Sequence, residues 1–406
     1  MRPRIFIAIH YLEIGGAERS LIGLLQALNP TIYDIDLFVY SHRGDLMHNI
    51  PQGVHLLPEI KEYALIEAPI KQVIQKGCFR MAYARLIAKL KYYFYKKRKG
   101  KTEGSAIFQY IGNAVTPCLP SLDFYGQYDL AISFLVPHNI VRDKVVAQKK
   151  ICWIHTDYSK IDVNVALELP IWKSYNYIVS ISKDVTDKFC RKFPTLQNKI
   201  IEISNILSPQ FIRRLASNVP FERINKEMQT EKGEIRLLSV GRFTKAKNYD
   251  NVPQICKTLL QKGVLVKWFL IGYGSDEALI RTKIKETGME KHVLLLGKRT
   301  NPYPYIAHCD VYVQPSRFEG NAVTVREAQI LCKPVVITHY PTAESQIIHN
   351  VDGVIVPQEN AECASGIASF LKNKTLQKNI IKYLQEHDYG NESEIKKLET
   401  LINNPL

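Results

Sequence analysis

The sequence predicts an α/β protein built from two doubly wound, Rossmann-like domains. Three observations predict it. The chain has 406 residues, 46% hydrophobic and 23% charged, the size and balance of two ordinary globular domains. Short β-branched runs, almost continuously apolar, alternate with helical periodicity, as in parallel sheets covered on both faces. Near the middle, LASNVPFERINKEMQTEKGE (Leu215–Glu234) is polar and lacks a strand. It divides the chain into domains at 1–214 and 215–385.

In the first half the strands are expected at Ile5–Ile9, Ile35–Tyr40, Leu130–Leu135, Ile151–His155 and Tyr177–Ser182. In the second they are expected at Ile235–Val240, Val266–Ile271, Val293–Leu296, Asp310–Gln314, Pro334–Thr338 and Val354–Val356. The opening MRPRIFIAIHYLEIGG reads as a first strand and not as a signal peptide. No apolar run approaches the ~18 residues that span a bilayer. The eight cysteines contain no CxxC pair, which suits reduced thiols in a cytoplasmic protein and argues against zinc or disulfide chemistry.

Charge is unevenly placed. The whole chain carries 54 Lys and Arg against 39 Asp and Glu, and residues 61–101 carry 12 basic against 2 acidic side chains. Within that segment, FRMAYARLIAKLKYYFYKKRKGK sets Phe79, Tyr83, Leu86, Ile87, Leu90 and Phe94 at helical spacing. Arg80, Arg85, Lys89, Lys91 and Lys96 fall between them. A basic amphipathic helix with boundary aromatics, residues 79–101, suits an anionic membrane surface. The plainer reading is a helix packed on the core with a solvated basic face. No nucleic-acid module is recognisable, and a nucleic-acid partner is not expected.

In doubly wound domains the chemistry lies just beyond the carboxyl ends of the strands. After the first strand, Gly15-Gly16 precede a helix; taken alone this is a turn, but it also lets backbone approach an anion. In LLSVGRFTKAKN, Arg242 follows a strand and Lys247 comes five residues later, a fork and a point charge suited to a diphosphate. Gly272-Tyr273-Gly274 and Gly297-Lys298-Arg299 end the next two strands as turns. In PSRFEGNAVTVREAQILCKPVV, Glu319 lies in a loop and Glu327 one turn into a helix starting near Thr324. Thr324 and Glu327 also fit a capping box, in which Glu327 serves only a backbone N–H. The competing reading gives the loop Ser316–Val323 and the helix start to phosphate oxygens. Glu319 and Glu327 then grip opposite ends of a nucleotide-sugar while Arg242 and Lys247 hold its middle.

EGNAVTVRE, with its Glu-x7-Glu pair, VGRFTKAKN and GGAE together resemble the retaining family-4 glycosyltransferases of the GT-B fold, over essentially the whole chain. The resemblance implies acceptor binding by the first domain, nucleotide-sugar binding mainly by the second across a cleft, and no cofactor or metal. It implies that Arg242 and Lys247 bind the diphosphate, Glu319 touches the donor sugar and Glu327 holds the ribose. His155 matches the active-site histidine and Gly16 the first-domain loop over the phosphates, while Gly320, Asn321, Ala322, Val323 and Thr324 form the rest of the donor loop. Where the family has Glu-Gly-Phe-Gly, this chain has Glu319-Gly320-Asn321-Ala322, and alanine restricts positive φ. The family's closing helix is matched by Asn391–Asn403, within a tail at 386–406 that packs back on the first domain. The sole Asp-x-Asp, Asp34-Ile35-Asp36, falls in a strand and reads as structural.

The expected activity is retaining, metal-independent transfer of a sugar, from UDP by preference, to a glycan acceptor. The basic segment points to a lipid-linked acceptor and a cytoplasmic protein on the inner face of the membrane, and the family resemblance implies a surface or capsular polysaccharide pathway. The alternatives are a sugar-nucleotide epimerase of the same architecture, a glycoside hydrolase using the two glutamates, and a non-catalytic partner that keeps the fold.

Overall fold

The computed structural model describes residues 2–13, 15–100, 104–320 and 322–403. It divides into two compact units, one comprising Met1–Ile206 with Asn391–Leu406 and the other Leu207–Gly390. The fold class is the expected one.

The first unit holds a parallel seven-stranded sheet in the order β3-β2-β1-β4-β5-β6-β7. Its strands are β1 (Arg4–Ile9), β2 (Asp34–Val39), β3 (Val54–Leu56), β4 (Tyr128–Ser133), β5 (Ala147–Ile154), β6 (Tyr177–Ser180) and β7 (Ile200–Glu202). β1 lies at the centre, pairing Ile5 with Ile35 on one side and with Leu130 on the other. Its RIFIAI sequence is buried from Ile5 onward, because helices cover both faces of a central parallel strand. The two strands not expected from the sequence, β3 and β7, are three-residue edge strands only partly shielded from solvent. Asp34 and Asp36 both lie in β2: Asp34 is bonded by Arg2, and Asp36 by Arg4 (3.2 Å), Tyr128 (2.7 Å) and His55 (2.8 Å).

The second unit holds a parallel six-stranded sheet in the order β10-β9-β8-β11-β12-β13. Here β8 is Ile235–Val240, β9 Val266–Ile271, β10 Val293–Gly297, β11 Val311–Gln314, β12 Val335–Thr338 and β13 Val354–Val356. The strand order reverses between β8 and β11, so this is the switch point where open α/β sheets take ligands. A polar knot braces it from below. Ser239 Oγ in β8 donates to the Val313 carbonyl (2.6 Å) and accepts from the fully buried Trp268 indole (2.9 Å). Burying both polar groups is tolerated because each has its partner.

The sequence placed the domain boundaries at 214/215 and 385/386; the structure places them at 206/207 and 390/391. The helix Pro209–Ala216 belongs to the second unit, where Ile212 joins the core around Tyr303 and Ile330 and Arg213 donates to the Ile330 carbonyl (3.3 Å). The polar stretch misled because it is not a linker but a surface helix, Phe221–Glu227, anchored through buried Ile224. The tail begins its return at Asn391, whose side chain donates to the Asn205 carbonyl (3.0 Å). Its helix, Ile395–Asn403, ends on Lys149, whose ammonium donates to the carbonyls of Leu401 (2.9 Å) and Ile402 (3.0 Å). A cation there satisfies orphan carbonyls and opposes the negative end of the helix.

Candidate active site

At the switch point of the second unit, β8 runs out at Val240 and the chain turns through Gly241 and Arg242 to a short turn of helix at Lys245–Lys247. The Lys247 side chain folds back across Gly241. A Cβ at Gly241 would stand 3.2 Å from Lys247 Cε and 2.9 Å from the Tyr249 hydroxyl, so glycine is what lets the lysine lie there. The next turn serves the same end. Gly272 and Gly274 take φ of 154° and 159°, and Cβ atoms on them would meet the carbonyl oxygens of Gly241 (1.9 Å) and Phe243 (2.3 Å). The Gly-Tyr-Gly segment is therefore a close-packed brace under the Arg242 loop and more than a plain turn. Arg242 itself is exposed.

Lys247 Nζ reaches Glu319 Oε1 at 2.6 Å. The same carboxylate oxygen accepts from Ser316 Oγ (2.5 Å) and Gln314 Nε2 (3.0 Å), and the Glu319 carbonyl accepts from Thr342 Oγ1 (3.0 Å). Three donors on one oxygen fix the carboxylate, and charge-assisted bonds of this kind are the strong ones. Gln314 is held in turn, its Oε1 accepting from the Tyr312 hydroxyl (2.7 Å) and from Thr324 Oγ1 (3.4 Å). Tyr249 lies fully buried nearby; burial first, and the Glu319 charge second, push its phenol far above the usual range and keep it neutral.

The helix after this loop runs Val323–Ile330, with Ala322 at its N-cap and no side-chain cap. That excludes the capping box. Thr324 is inside the helix and bonds Gln314, and Glu327 turns inward, 1% exposed, to accept from the Tyr303 hydroxyl (2.8 Å). The N–H groups of Val323 and Thr324 have no acceptor within the helix, as for any helix start. Ala322 sits at φ −79°, ψ 90°, ordinary extended backbone, so its Cβ costs nothing. The Gln346 amide clamps it, donating to its carbonyl (2.7 Å) and accepting from its N–H (3.3 Å). Gly320 is exposed, and a Cβ there would meet nothing within 4 Å. Asn321 lies outside the described residues.

The remaining candidates belong to the first unit. Gly16 is exposed and begins the helix Gly16–Ala27, with nothing within 4 Å of an added Cβ. His155 immediately follows β5, its ring tilted at 45° against Phe134 (4.5 Å between ring centres), its Nε2 sheltered and without a hydrogen bond among the described residues. Burial drives its pKa down to about 3, so the ring is neutral near pH 7. Two histidines that the sequence did not single out share this carboxyl edge. His10 follows β1 and is lowered to about 4 by burial, then by Arg43. His138 bonds Ser133 Oγ at the end of β4 (2.8 Å) and is lowered to about 3 by burial, then by His155 and His10.

The structure thus gathers Arg242, Lys247, Glu319, Gly320, Ala322, Val323, Thr324 and Glu327 on one edge of one sheet. Gln314, Ser316, Tyr303 and Gln346, which orient them, escaped the sequence reading. Gln314 offered a faint signal, a polar residue closing an apolar strand. Tyr303 and Gln346 offered none, because only folding brings them to Glu327 and Ala322.

Residues 220–387 match the family Glycosyl transferases group 1. This segment is a group 1 glycosyl transferase domain. It contains every second-unit candidate above, while Gly16 and His155 lie outside it. The chain is 26% identical over 272 residues to the amylovoran biosynthesis glycosyltransferase AmsK of Erwinia amylovora, covering 60% of this chain and 66% of that protein. It is 28% identical over 144 residues to the N-acetylgalactosamine-N,N'-diacetylbacillosaminyl-diphospho-undecaprenol 4-alpha-N-acetylgalactosaminyltransferase of Campylobacter jejuni, covering 35% of this chain and 39% of that protein. The chain therefore spans less than two thirds of the length of these curated relatives. In fold, it superposes on Anabaena HepE in complex with UDP and glucose with a TM-score of 0.65 at 14% identity, covering 99% of this chain and 100% of that one. The glycosyl transferase domain and the unit before it share the GT-B type of fold with that structure.

Proposed function

We propose that this protein is a retaining, metal-independent glycosyltransferase that moves a sugar from a nucleotide-sugar to a glycan acceptor. UDP is the favoured carrier. The observation that carries the reading is the Lys247–Glu319 pair, 2.6 Å apart at the β8/β11 switch point beside exposed Arg242. The group 1 glycosyl transferase domain around it is what makes sugar transfer the relevant chemistry.

The mechanism follows from where charge develops. Breaking the sugar–phosphate bond leaves negative charge on the diphosphate and positive character on the anomeric carbon. Lys247 has three N–H donors and gives one to Glu319, so the others can meet phosphate oxygens. Arg242 adds a planar fork, and the helix start at Val323 adds backbone donors. Fixed donors aimed at a leaving oxygen each lower the barrier by about 3 kcal/mol. Glu319, held by three hydrogen bonds, accepts from sugar hydroxyls, and Glu327, aligned by Tyr303, accepts from the ribose. A neutral His155 in the first unit is suited to donate to a sugar hydroxyl without adding charge. The departing phosphate takes the acceptor proton, with attack from the leaving-group side and retention of configuration.

The acceptor is a lipid-linked glycan in a cytoplasmic step of surface polysaccharide synthesis, a reading supported by the amylovoran biosynthesis relative and by the relative named for a diphospho-undecaprenol acceptor. A panel of nucleotide-sugars in thermal shift checks the donor. One UDP-sugar stabilises the wild-type chain, and Arg242→Ala weakens that shift, raising the ligand concentration needed by ~10-fold or more. Equal shifts in both proteins would rule Arg242 out of the site.

A further inference from the structure

The helix Phe79–Lys99 turns its large apolar side chains away from the protein. Phe79, Tyr83, Leu86, Leu90, Tyr93 and Phe94 are 66, 67, 53, 52, 60 and 55% exposed, while its buried positions are Met81, Ala82, Arg85 and Ala88. At about 100° per residue, the six exposed residues fall in one arc of about 100°. The packed face, made of Met81, Ala82, Arg85 and Ala88, begins beside the stripe at Ala82 and runs round to the opposite side. Arg85, grouped by its sequence position with the cationic residues, instead points inward and donates to the carbonyls of Ala68 and Leu65. Exposed cations flank the apolar stripe, Arg80, Lys91 and Arg98 on one side and Lys89 and Lys96 on the other, while exposed Lys97 ends the stripe in line with it, just beyond Phe94. The helix contains no Asp or Glu. Phe108, on the neighbouring helix Ile107–Val115, extends the exposed surface (61%). Lys101 lies outside the described residues.

An exposed apolar stripe this long is unusual on a surface bathed only in water. Cations on both flanks make it complementary to acyl chains lying beneath anionic phosphates, the geometry of an interfacial helix. We infer that this face is a membrane-docking surface, with the helix lying flat in the headgroup region of an anionic bilayer. Phe79, Leu86, Leu90 and Phe94 enter the acyl boundary and the two basic rows meet lipid phosphates. Among the described residues no helix is long and apolar enough to cross a membrane, so the attachment is one-sided. The inference stands apart from the transfer reading, since it rests on other residues and needs no turnover.

Flotation of the full chain with vesicles tests it. The vesicles are phosphatidylcholine alone, or phosphatidylcholine with roughly one third phosphatidylglycerol. The wild-type chain is expected to float with the anionic vesicles at least ~10-fold better than with the neutral ones. Leu86→Ser/Leu90→Ser/Phe94→Ser should lose ~10-fold or more of that binding while its urea transition is unmoved. Lys89→Gln/Lys91→Gln/Lys96→Gln should lose the preference for anionic lipid and its salt dependence. Absence of wild-type flotation would overturn the inference, and so would full binding by the serine variant, which would reduce the effect to general positive charge. A dimer that the serine variant dissolves, without vesicle binding, would make the face a contact between copies. Binding of duplex DNA in place of vesicles would make it a nucleic-acid surface. The wild-type salt series stands independently of the variants: binding that vanishes completely at high salt would show that no apolar insertion occurs.

Discussion

Glu319 accepts hydrogen bonds from Lys247, Ser316 and Gln314 on a single oxygen, and that economy leaves its second oxygen for a substrate hydroxyl. Glu319→Ala is expected to cut transfer by at least ~100-fold and to lower the melting temperature modestly, because buried Ser316 and Gln314 lose an acceptor while the fold survives. Unchanged turnover in that variant would remove Glu319 from the reaction. Tyr303 acts through Glu327. Tyr303→Phe should raise the KM for nucleotide-sugar several-fold with kcat nearly constant. In a double-mutant cycle with Glu327→Gln the two effects should be strongly non-additive, by about 1 kcal/mol or more; additive effects would separate the residues. The histidines at the carboxyl edge of the first sheet make a stability prediction. Their folded values, about 4 for His10 and about 3 for His138 and His155, lie below the ordinary 6.5. Folding therefore favours the neutral ring: this stability is complete above pH 6.5 and is lost as pH falls from 6.5 towards 3–4. Each such histidine contributes a slope of up to about 1.4 kcal/mol per pH unit in that window. Comparing urea midpoints of the wild-type chain and His155→Gln between pH 7 and 5 isolates one of them, and the variant should show the shallower fall. Identical slopes would mean that His155 is solvated and protonates freely.

At the scale of elements, the strands were the most legible part of the sequence. IRLLSV, VKWFLI and RIFIAI are apolar on both faces because both faces are covered, and only a parallel sheet between helices asks for that. The edge strands VHL and IIE were not legible; three residues with one open flank carry neither alternation nor continuous apolarity. The helix at 79–99 was legible as a helix, and of its two readings the structure shows the large apolar stripe facing outward and not packed on the core. Its sequence offers two stripes, a large exposed one and a small-residue one built on Met81, Ala82 and Ala88, and hydrophobicity alone favours burying the wrong one. Of the site, the charged residues were legible through the strand ends they follow. The uncharged braces were not, since Gln346 and Tyr303 approach from distant segments. One such brace predicts stability. Ser239→Ala would strand the buried Trp268 indole and is expected to cost about 1–3 kcal/mol in urea unfolding without touching nucleotide-sugar affinity. A cost well below that range would mean the indole finds another acceptor.

For the whole molecule, the polar stretch at 215–234 shows how composition can misplace a boundary while describing the two-domain plan correctly. The division falls at 206/207, because Ile212 and Ile224 tie the segment to the second unit. The first unit is completed only by the returning tail, which is held by Lys149 and the Asn391–Asn205 contact. Two groups within the net charge of +15 stand apart: the basic rows of the exposed helix in the first unit, proposed to meet lipid, and an arginine and a lysine at a strand exit in the second. In the proposed mechanism the second group, with no metal ion, holds the departing diphosphate. This is tested most directly by nucleotide release from a UDP-sugar, with and without a lipid-linked glycan acceptor, in excess chelator. Release is expected to depend on the acceptor and to continue undiminished in the chelator. Release that ignores the acceptor, or that stops until a divalent cation is restored, would contradict that mechanism.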